Sequence, residues 1–538
     1  MLHDDSTGGR LDQEVHVTDS SPTDDTPNTT ASADTTAAPA GSPATDGHLH
    51  DVIIIGAGLS GIDCAYRILE HNPGCDYLVL ERRQRVGGTW DLFRYPGVRS
   101  DSDIYSLSYP FEPWAKPGAL AEGADIRDYI EQTARKFGIA DHIRFEHHVL
   151  TADWDSGTDT WTLGVEVGEG AEKCHETYRC RFVVFATGYY DYDQPYTPRF
   201  AGAEDFTGPI VHPQHWPEDL DYRGKRIVVI GSGATAVSLI PNLTDQAEHV
   251  TMLQRSPSYI FSAKQKQYLV PVVRKLLPPA AAHRVIRWRY ATQTAAIVHL
   301  THRFPKLGRK MIRANVAANL PEDYPVDVHF NPSYNPWDQR MCMVPDADLF
   351  NGITDGSIEM VTDHIERFDE TGVRLTSGRH LDADIIVTAT GLQLLGFGGT
   401  RLVVDGDELK PHDRFVFKSH LLEDVPNIAW SVGYTNASWT LRVDMTARSV
   451  ANLIRYMREN GYTHAYPHLG AEPMTAQPLW DLEAGYVERS PDALPKSGTR
   501  GHWRVRHNYY RDAIDHRISR VEDSMVFGSV EHSQDLVG

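Results

Sequence analysis

Short apolar runs, each closed by a glycine or an acid, punctuate this chain. Asp51-Val-Ile-Ile-Ile-Gly56 feeds the loop G-A-G-L-S-G at Gly56–Gly61. Helix formers continue through Leu69 and stop near Asn72-Pro73-Gly74. The next apolar run, Tyr77-Leu-Val-Leu, ends in Glu81. Apolar run, glycine loop, helix and apolar run make the βαβ unit of a doubly wound sheet. A second copy starts at Lys225-Arg-Ile-Val-Val-Ile-Gly231, with the loop G-S-G-A-T-A at Gly231–Ala236. Its helix follows Ala234, and its second strand is Val250-Thr-Met-Leu-Gln-Arg255. Two further runs, Phe182-Val-Val-Phe and Ile385-Ile-Val-Thr, both finish in A-T-G, at Gly188 and Gly391. The second lies beyond the second unit, so the pattern predicts one domain interrupted by another, with the chain crossing near each A-T-G.

The predicted fold class is therefore α/β, with two doubly wound dinucleotide-binding (Rossmann-like) domains. The first is discontinuous, spanning 48–190 and 381–462. The second spans 191–380 and carries a basic helical insertion at about 264–330. Residues 463–538 form a C-terminal extension. Residues 1–47 are rich in Asp, Thr, Ser, Ala and Pro and almost lack large apolar side chains. Such a segment cannot offset its ordering entropy by burial, so an acidic disordered tail is expected. It has no basic start followed by an apolar run, hence no secretory pattern, and no stretch has the apolar length of a membrane span.

The loops specify different ligands. In the first, Gly56 serves the tight turn, Gly58 the close approach of backbone to a pyrophosphate, and Gly61 helix–strand packing. The helix N-terminus adds amide donors. Glu81, ending the second strand, can accept from an unphosphorylated ribose. The second loop offers Gly231, Gly233 and Ala236 in the same places. Where Glu81 stands in the first unit, the second has Arg255. A carboxylate there would repel a 2′-phosphate, whereas a guanidinium can fork onto it. The first site suits FAD and the second NADPH.

Two longer strings carry the chemistry. One is Phe206-Thr-Gly208-Pro-Ile-Val-His212-Pro-Gln-His-Trp216, between the loops. The other is Gly87-Gly88-Thr89-Trp90, then Tyr95-Pro-Gly97, then Asp101. Together they resemble the two signatures of the Baeyer–Villiger class of flavoprotein monooxygenases. With Tyr334-Asn-Pro-Trp-Asp-Gln-Arg340 and Gly433-Tyr-Thr-Asn-Ala-Ser-Trp439, the likeness is to the mycobacterial ethionamide-activating group. It runs from Asp51 to about Arg511.

The resemblance implies an NADPH-dependent enzyme that reduces FAD, activates O2 through a C4a-peroxyflavin, and converts a hydrophobic ketone to an ester or lactone, with S-oxygenation of sulfides as a further reaction. It makes Arg340 the active-site cation and Asp101 the group that holds it. Gly88, Thr89, Trp90, Asp101 and Val149 belong to the expected FAD site. Thr235, Ser256 and Trp439 join Arg255 in the expected NADPH site. Relatives often have a lysine before the arginine; here Gln339 leaves more of the phosphate selectivity to Arg255. Phe206, Gly208, His212 and Trp216 are read as an interdomain connector stiffened by Pro209, Pro213 and Pro217. His212 is read as linking domain position to catalysis and not as a general base. Asp101 also has a plainer reading, as a helix cap, in competition with Ser102 and Asp103.

Composition trims the alternatives. A formal net charge of −21 argues against nucleic-acid partners. Cys64, Cys75, Cys174, Cys180 and Cys342 form no C-x-x-C pair, which disfavours a disulfide reductase and a metal site. An N- or S-oxygenating flavin monooxygenase is the nearest rival, and a non-catalytic dinucleotide sensor the rival from another class. Between Glu248 and Glu322 there is no acid, only cations among apolar residues. That stretch, 249–321, reads either as a membrane-touching surface or as helices whose cations face solvent and cofactor phosphates; the pattern favours the second. The expected location is cytoplasmic, peripheral at a membrane on the first of those readings.

Overall fold

The computed structural model describes residues 44–168, 170, 173–480, 485–490 and 492–530. Most of the expected tail lies outside them. The first strand, Ala44–Ile55, starts inside the span assigned to that tail.

Nine strands make the first sheet. Ala44–Ile55 is central, parallel to Tyr77–Leu80 on one side and Cys174–Phe185 on the other. An antiparallel meander, His147–Asp155 and Thr160–Val167, extends it from Cys174–Phe185. Strands Tyr77–Leu80 and Ile53-Ile54-Ile55 are buried on both faces, which is why they read as unbroken apolar runs instead of alternating ones. Helix Leu59–His71 packs on this sheet and on helix Thr440–Asn460.

The second sheet has five parallel strands in the order Ile358–Thr362, His249–Gln254, Arg226–Ile230, Ile385–Thr388, Ile210–Val211. This corrects one boundary. The expected return to the first domain is at residue 381, but Ile385–Thr388 pairs with Arg226–Ile230 inside the second sheet. The crossing therefore follows Thr388. The connector string also does more than connect. Its Ile210–Val211 is the edge strand of the second sheet, and Pro209 accepts from Ile386 N–H at 3.1 Å. β-branched residues flanked by prolines suit an edge, where no donor is needed on the outer side.

The paired A-T-G strings have a shared steric cause. A Cβ on Gly56 would lie 2.7 Å from Ala186 O, and one on Gly231 2.3 Å from Ala389 O. Each A-T-G strand presses its first carbonyl onto the first glycine of a loop. Both glycines also have positive φ, +104° and +141°.

The insertion forms helices Leu269–Leu276, Pro279–Arg303, Pro305–Ala317 and Val326–His329. The parallel pair Ile260–Ala263 and Cys342–Pro345 closes its base. Beyond residue 463, His464–Pro467 pairs with Met525–Gly528, while Trp480, Leu494 and Trp503 insert into the core of the first domain. Among the described residues, no helix is long and apolar enough to cross a membrane.

Candidate active site

A cavity of about 1300 Å³ lies between the two glycine loops. Gly56, Gly58, Glu81, Gly88, Thr89, Trp90, Asp101 and Val149 line it from the first domain. Gly231, Gly233, Thr235, Arg255, Ser256 and Arg340 line it from the second, and Trp439 closes the wall between them. Gly61 and Ala236 sit behind it, and both are buried. A Cβ on Gly61 would fall 1.8 Å from Gly56 O, so that glycine serves helix–strand packing.

The residues fit two dinucleotides. A Cβ on Gly233 would meet nothing within 4 Å, so its backbone faces open space at the N-terminus of helix Ala234–Leu239. Gly58 packs on the backbone of Gly88, its would-be Cβ 3.5 Å from Gly88 Cα. Two bare backbones thus meet where the first ligand's pyrophosphate would lie. Glu81 is buried, and its carboxylate accepts from Ala57 N–H at 2.7 Å and Arg83 N–H at 2.9 Å. Burial pushes its carboxyl up, against those two bonds. Arg255 is exposed and forms no ion pair among the described residues, leaving its fork available to an anion. Gln339 also lines the cavity.

Asp103, not Asp101, caps helix Ile104–Leu107, its carboxylate accepting from Ser106 N–H at 2.7 Å. Asp101 is thereby left to face the cavity. Arg340 reaches the same space, and among the described residues no ion pair joins it to Asp101. Arg340 Nη2 donates to Tyr189 Oη at 2.7 Å, and its guanidinium lies 5.9 Å from that ring. Burial pushes the Cys342 thiol up to about 12, with Asp101 raising it further and Arg340 lowering it. Cys342 is therefore a protonated, inert neighbour.

Tyr189 is the residue the sequence analysis missed. It follows the first A-T-G, stacks on Trp439 at 5.2 Å and meets Trp480 edge-on at 4.9 Å. Trp439 Nε1 donates to Ser60 Oγ at 2.9 Å, seating its ring against the first loop's helix. Gly433 makes room for that ring, because a Cβ there would lie 2.4 Å from Trp439 Cδ2. The spaced glycine and tryptophan of the G-Y-T-N-A-S-W run are one packing unit.

The connector residues do not line the cavity. Phe206 is buried in the second domain's core, and Trp216 meets Tyr222 edge-on at 6.4 Å. Gly208 passes so close to Asp384 O that a Cβ would sit at 2.3 Å. His212 Nδ1 accepts from Gln214 N–H at 3.1 Å, and burial pulls the imidazole down to about 4, partly opposed by the backbone of Gly391. His212 thus meets the second crossing at Gly391, while Gln214 Nε2 donates at 2.8 Å to Asp191 O, at the first. The sequence also assigned no metal ligands. The fold brings His48, His50 and Asp76 together, with ligand atoms within 4.8 Å, at a place that does not line the cavity.

Residues 53–312 match the family model of pyridine nucleotide-disulphide oxidoreductases. The FAD-containing monooxygenase EthA of Mycobacterium tuberculosis is 47% identical over 474 residues, covering 88% of this chain and 96% of the relative. The chain belongs to the FAD-containing monooxygenase family. EthA of Mycolicibacterium smegmatis is 46% identical over the same length. Among solved structures, an oxidized steroid monooxygenase bound to NADP superimposes with a TM-score of 0.68 at 22% identity, covering 90% of this chain and 100% of that one. A polycyclic ketone monooxygenase from Thermothelomyces thermophila gives 0.72 at 18%, with 92% and 91% covered. This monooxygenase uses FAD and NADPH, and O2 is its co-substrate. Its five cysteines are free, and all but Cys174 are buried.

Proposed function

We propose that this monooxygenase is of the Baeyer–Villiger type. It inserts one oxygen atom of O2 between a ketone carbonyl and an adjacent carbon, giving an ester or lactone, and also oxygenates sulfides. The balance is ketone, O2, NADPH and a proton in; ester, NADP⁺ and water out. The observation that carries the reading is a guanidinium, Arg340, held by a phenol in a cavity shared by both cofactor loops. FAD, when bound and reduced, supplies the oxygen activation. The protein supplies orientation and charge. Arg340 stabilises the anionic oxygen that develops on the attacked carbonyl, as a fixed cation in a partly dry site does. Tyr189 aims that cation. Asp101 faces the same space and sets the local field there without pairing to the arginine. Glu81 accepts from the FAD ribose, and Arg255 grips the 2′-phosphate of NADPH. His212 moves no proton to substrate. It is neutral at neutral pH and lies outside the cavity.

The test is product identity under ¹⁸O2 with NADPH and a panel of ketones and sulfides. Esters carrying one labelled atom are expected from ketones. Sulfoxides alone, with every ketone returned unchanged, would replace this reading with that of an S-oxygenating enzyme.

A further inference from the structure

The helical insertion carries side chains that the oxygenation chemistry does not use. Tyr268, the N-cap of helix Leu269–Leu276, recurs with Val272 and Leu276 at one-turn spacing beside Leu269, and Tyr268 and Leu276 are 71% and 74% exposed. Trp288, on helix Pro279–Arg303, is 63% exposed. At the turn into helix Pro305–Ala317, Leu300, Phe304, Leu307 and Met311 are exposed in succession. Single apolar side chains in water are ordinary, but a series along three consecutive helices marks an interaction surface.

The charge among them has one sign. No acid occurs between Glu248 and Glu322 in a chain of net charge −21. Lys264, Lys266, Lys275, Arg303, Lys306 and Lys310 form no ion pair among the described residues; the pairs this stretch does make there are Arg313 with Asp327, at 2.7 Å, and His249 with Glu359, at 3.9 Å. In the first domain, by contrast, Arg67, Arg83, Arg94 and Arg99 each hold a carboxylate. Cations without counter-ions, set among exposed apolar side chains, complement a surface that is anionic and apolar beneath. A bilayer containing acidic lipids has both properties.

The cavity extends to this region. Ile297 and Met311 line it and are themselves exposed. The two long helices touch where Gly308 meets Thr301, its would-be Cβ 3.0 Å from Thr301 Cγ2. Thr301 Oγ1 accepts from Trp337 Nε1 at 2.8 Å, and Arg309 Nη2 donates to Ser333 O at 3.0 Å. The helices that present the apolar face therefore also hold the loop leading to Arg340.

We propose that this face of the insertion docks on an anionic lipid bilayer, and that an apolar substrate dissolved in the lipid enters the cavity past Ile297 and Met311. The second half rests on reading the cavity as the oxygenation site. The FAD-loaded enzyme is sedimented with vesicles of equimolar phosphatidylglycerol and phosphatidylcholine, and with phosphatidylcholine alone, at low and high salt. Binding to the acidic vesicles, reversed by salt, is expected. The triple variant Lys275→Glu/Lys306→Glu/Lys310→Glu should lower the partition coefficient about tenfold or more. The variant Leu276→Ser/Phe304→Ser should lower it as well. Both should keep their FAD and their rate of NADPH oxidation without substrate. A polarity-sensitive dye on Phe304→Cys, in a Cys174→Ser background, should shift to the blue on acidic vesicles, whereas the same dye on the natural Cys174 should not.

For delivery, dodecyl methyl sulfide is supplied within vesicles and methyl phenyl sulfide in solution, since a sulfide is oxidised whether or not ketones are. Turnover of the long-chain probe should be faster from acidic vesicles and lost in the triple variant, with the soluble probe unaffected. No binding at low salt, binding indifferent to charge reversal, or self-association that covers the face overturns the docking. Equal turnover from both vesicle types overturns the entry route.

Discussion

A hydroxyl helps to orient Arg340, whose Nη2 donates to Tyr189 Oη at 2.7 Å. Removing a preorganised donor to a developing oxyanion costs about 3–4 kcal/mol, or roughly 10²–10³ in rate. Arg340→Ala is therefore expected to bind FAD and accept hydride, yet release hydrogen peroxide in place of oxygenated product. Tyr189→Phe should show a milder form, because it loosens the arginine without deleting it. The measurement is product per NADPH consumed, with peroxide assayed in parallel; near-normal coupling in Arg340→Ala would remove the arginine from the chemistry. Arg255 carries a separate expectation. Its bonds to a 2′-phosphate are worth roughly 1.5–3 kcal/mol, one to two decades of affinity. Arg255→Ala should raise KM for NADPH by that factor and leave NADH nearly unchanged, and equal increases for both would show that it does not read the phosphate. The places of Gly56, Gly58, Glu81 and Arg255 on the cavity wall were legible in the sequence, because each sits at or just past a strand end. Tyr189 was not, because it meets Arg340 only through a contact spanning 151 positions. The choice of Asp103 over Asp101 as cap was equally hidden, since both lie within reach of the same helix start.

At the scale of elements, the glycine-loop helix is clamped by buried charge. Arg67 on helix Leu59–His71 donates through Nε to Asp444 on helix Thr440–Asn460 at 2.7 Å, and Asp63 sits fully buried one turn away. Burial and the nearby Asp444 hold the Asp63 carboxyl well above its usual range, against the pull of Arg67. Arg448 also holds Asp444, at 2.9 Å, so removing Arg67 falls short of the about 3–5 kcal/mol that a buried charge left alone would cost. Arg67→Met is expected to lose part of that stability and to release FAD more readily, since this helix presents the first loop. The double variant Arg67→Met/Asp444→Leu should recover part of the loss. Chemical denaturation of the four proteins of the cycle, with FAD fluorescence as second readout, measures this; a single variant as stable as the parent would show the clamp to be dispensable. The glycine-loop units were readable from periodicity alone. The membership of Ile385–Thr388 was not, because a run buried on both faces carries no mark of which sheet it joins. Likewise Ile210–Val211 read as connector, since two residues are too short to show a strand's alternation.

Across the whole molecule, acid should be felt through buried imidazoles. Burial is the main cause that pulls His420 and His507 down to about 3 and His212 and His516 to about 4. Three of these cluster in the C-terminal half, where His420 and His516 stack at 6.0 Å. An unburied imidazole titrates near about 6.5. Between that value and the depressed ones, the unfolded chain binds protons that the folded chain refuses. Stability then rises with pH across this window and falls as pH drops from about 6.5 toward about 4. Buried acids with raised values, such as Asp63 and Asp103, act in the opposite sense, so the net slope alone does not isolate the histidines. A comparison does. His516→Gln removes one such group while leaving the acids in place. Its melting temperature, followed from pH 7 to pH 5 with FAD bound, is expected to fall less steeply than the parent's. Parallel curves would mean that His516 takes up its proton in the folded chain, and that the C-terminal segment does not hold it dry.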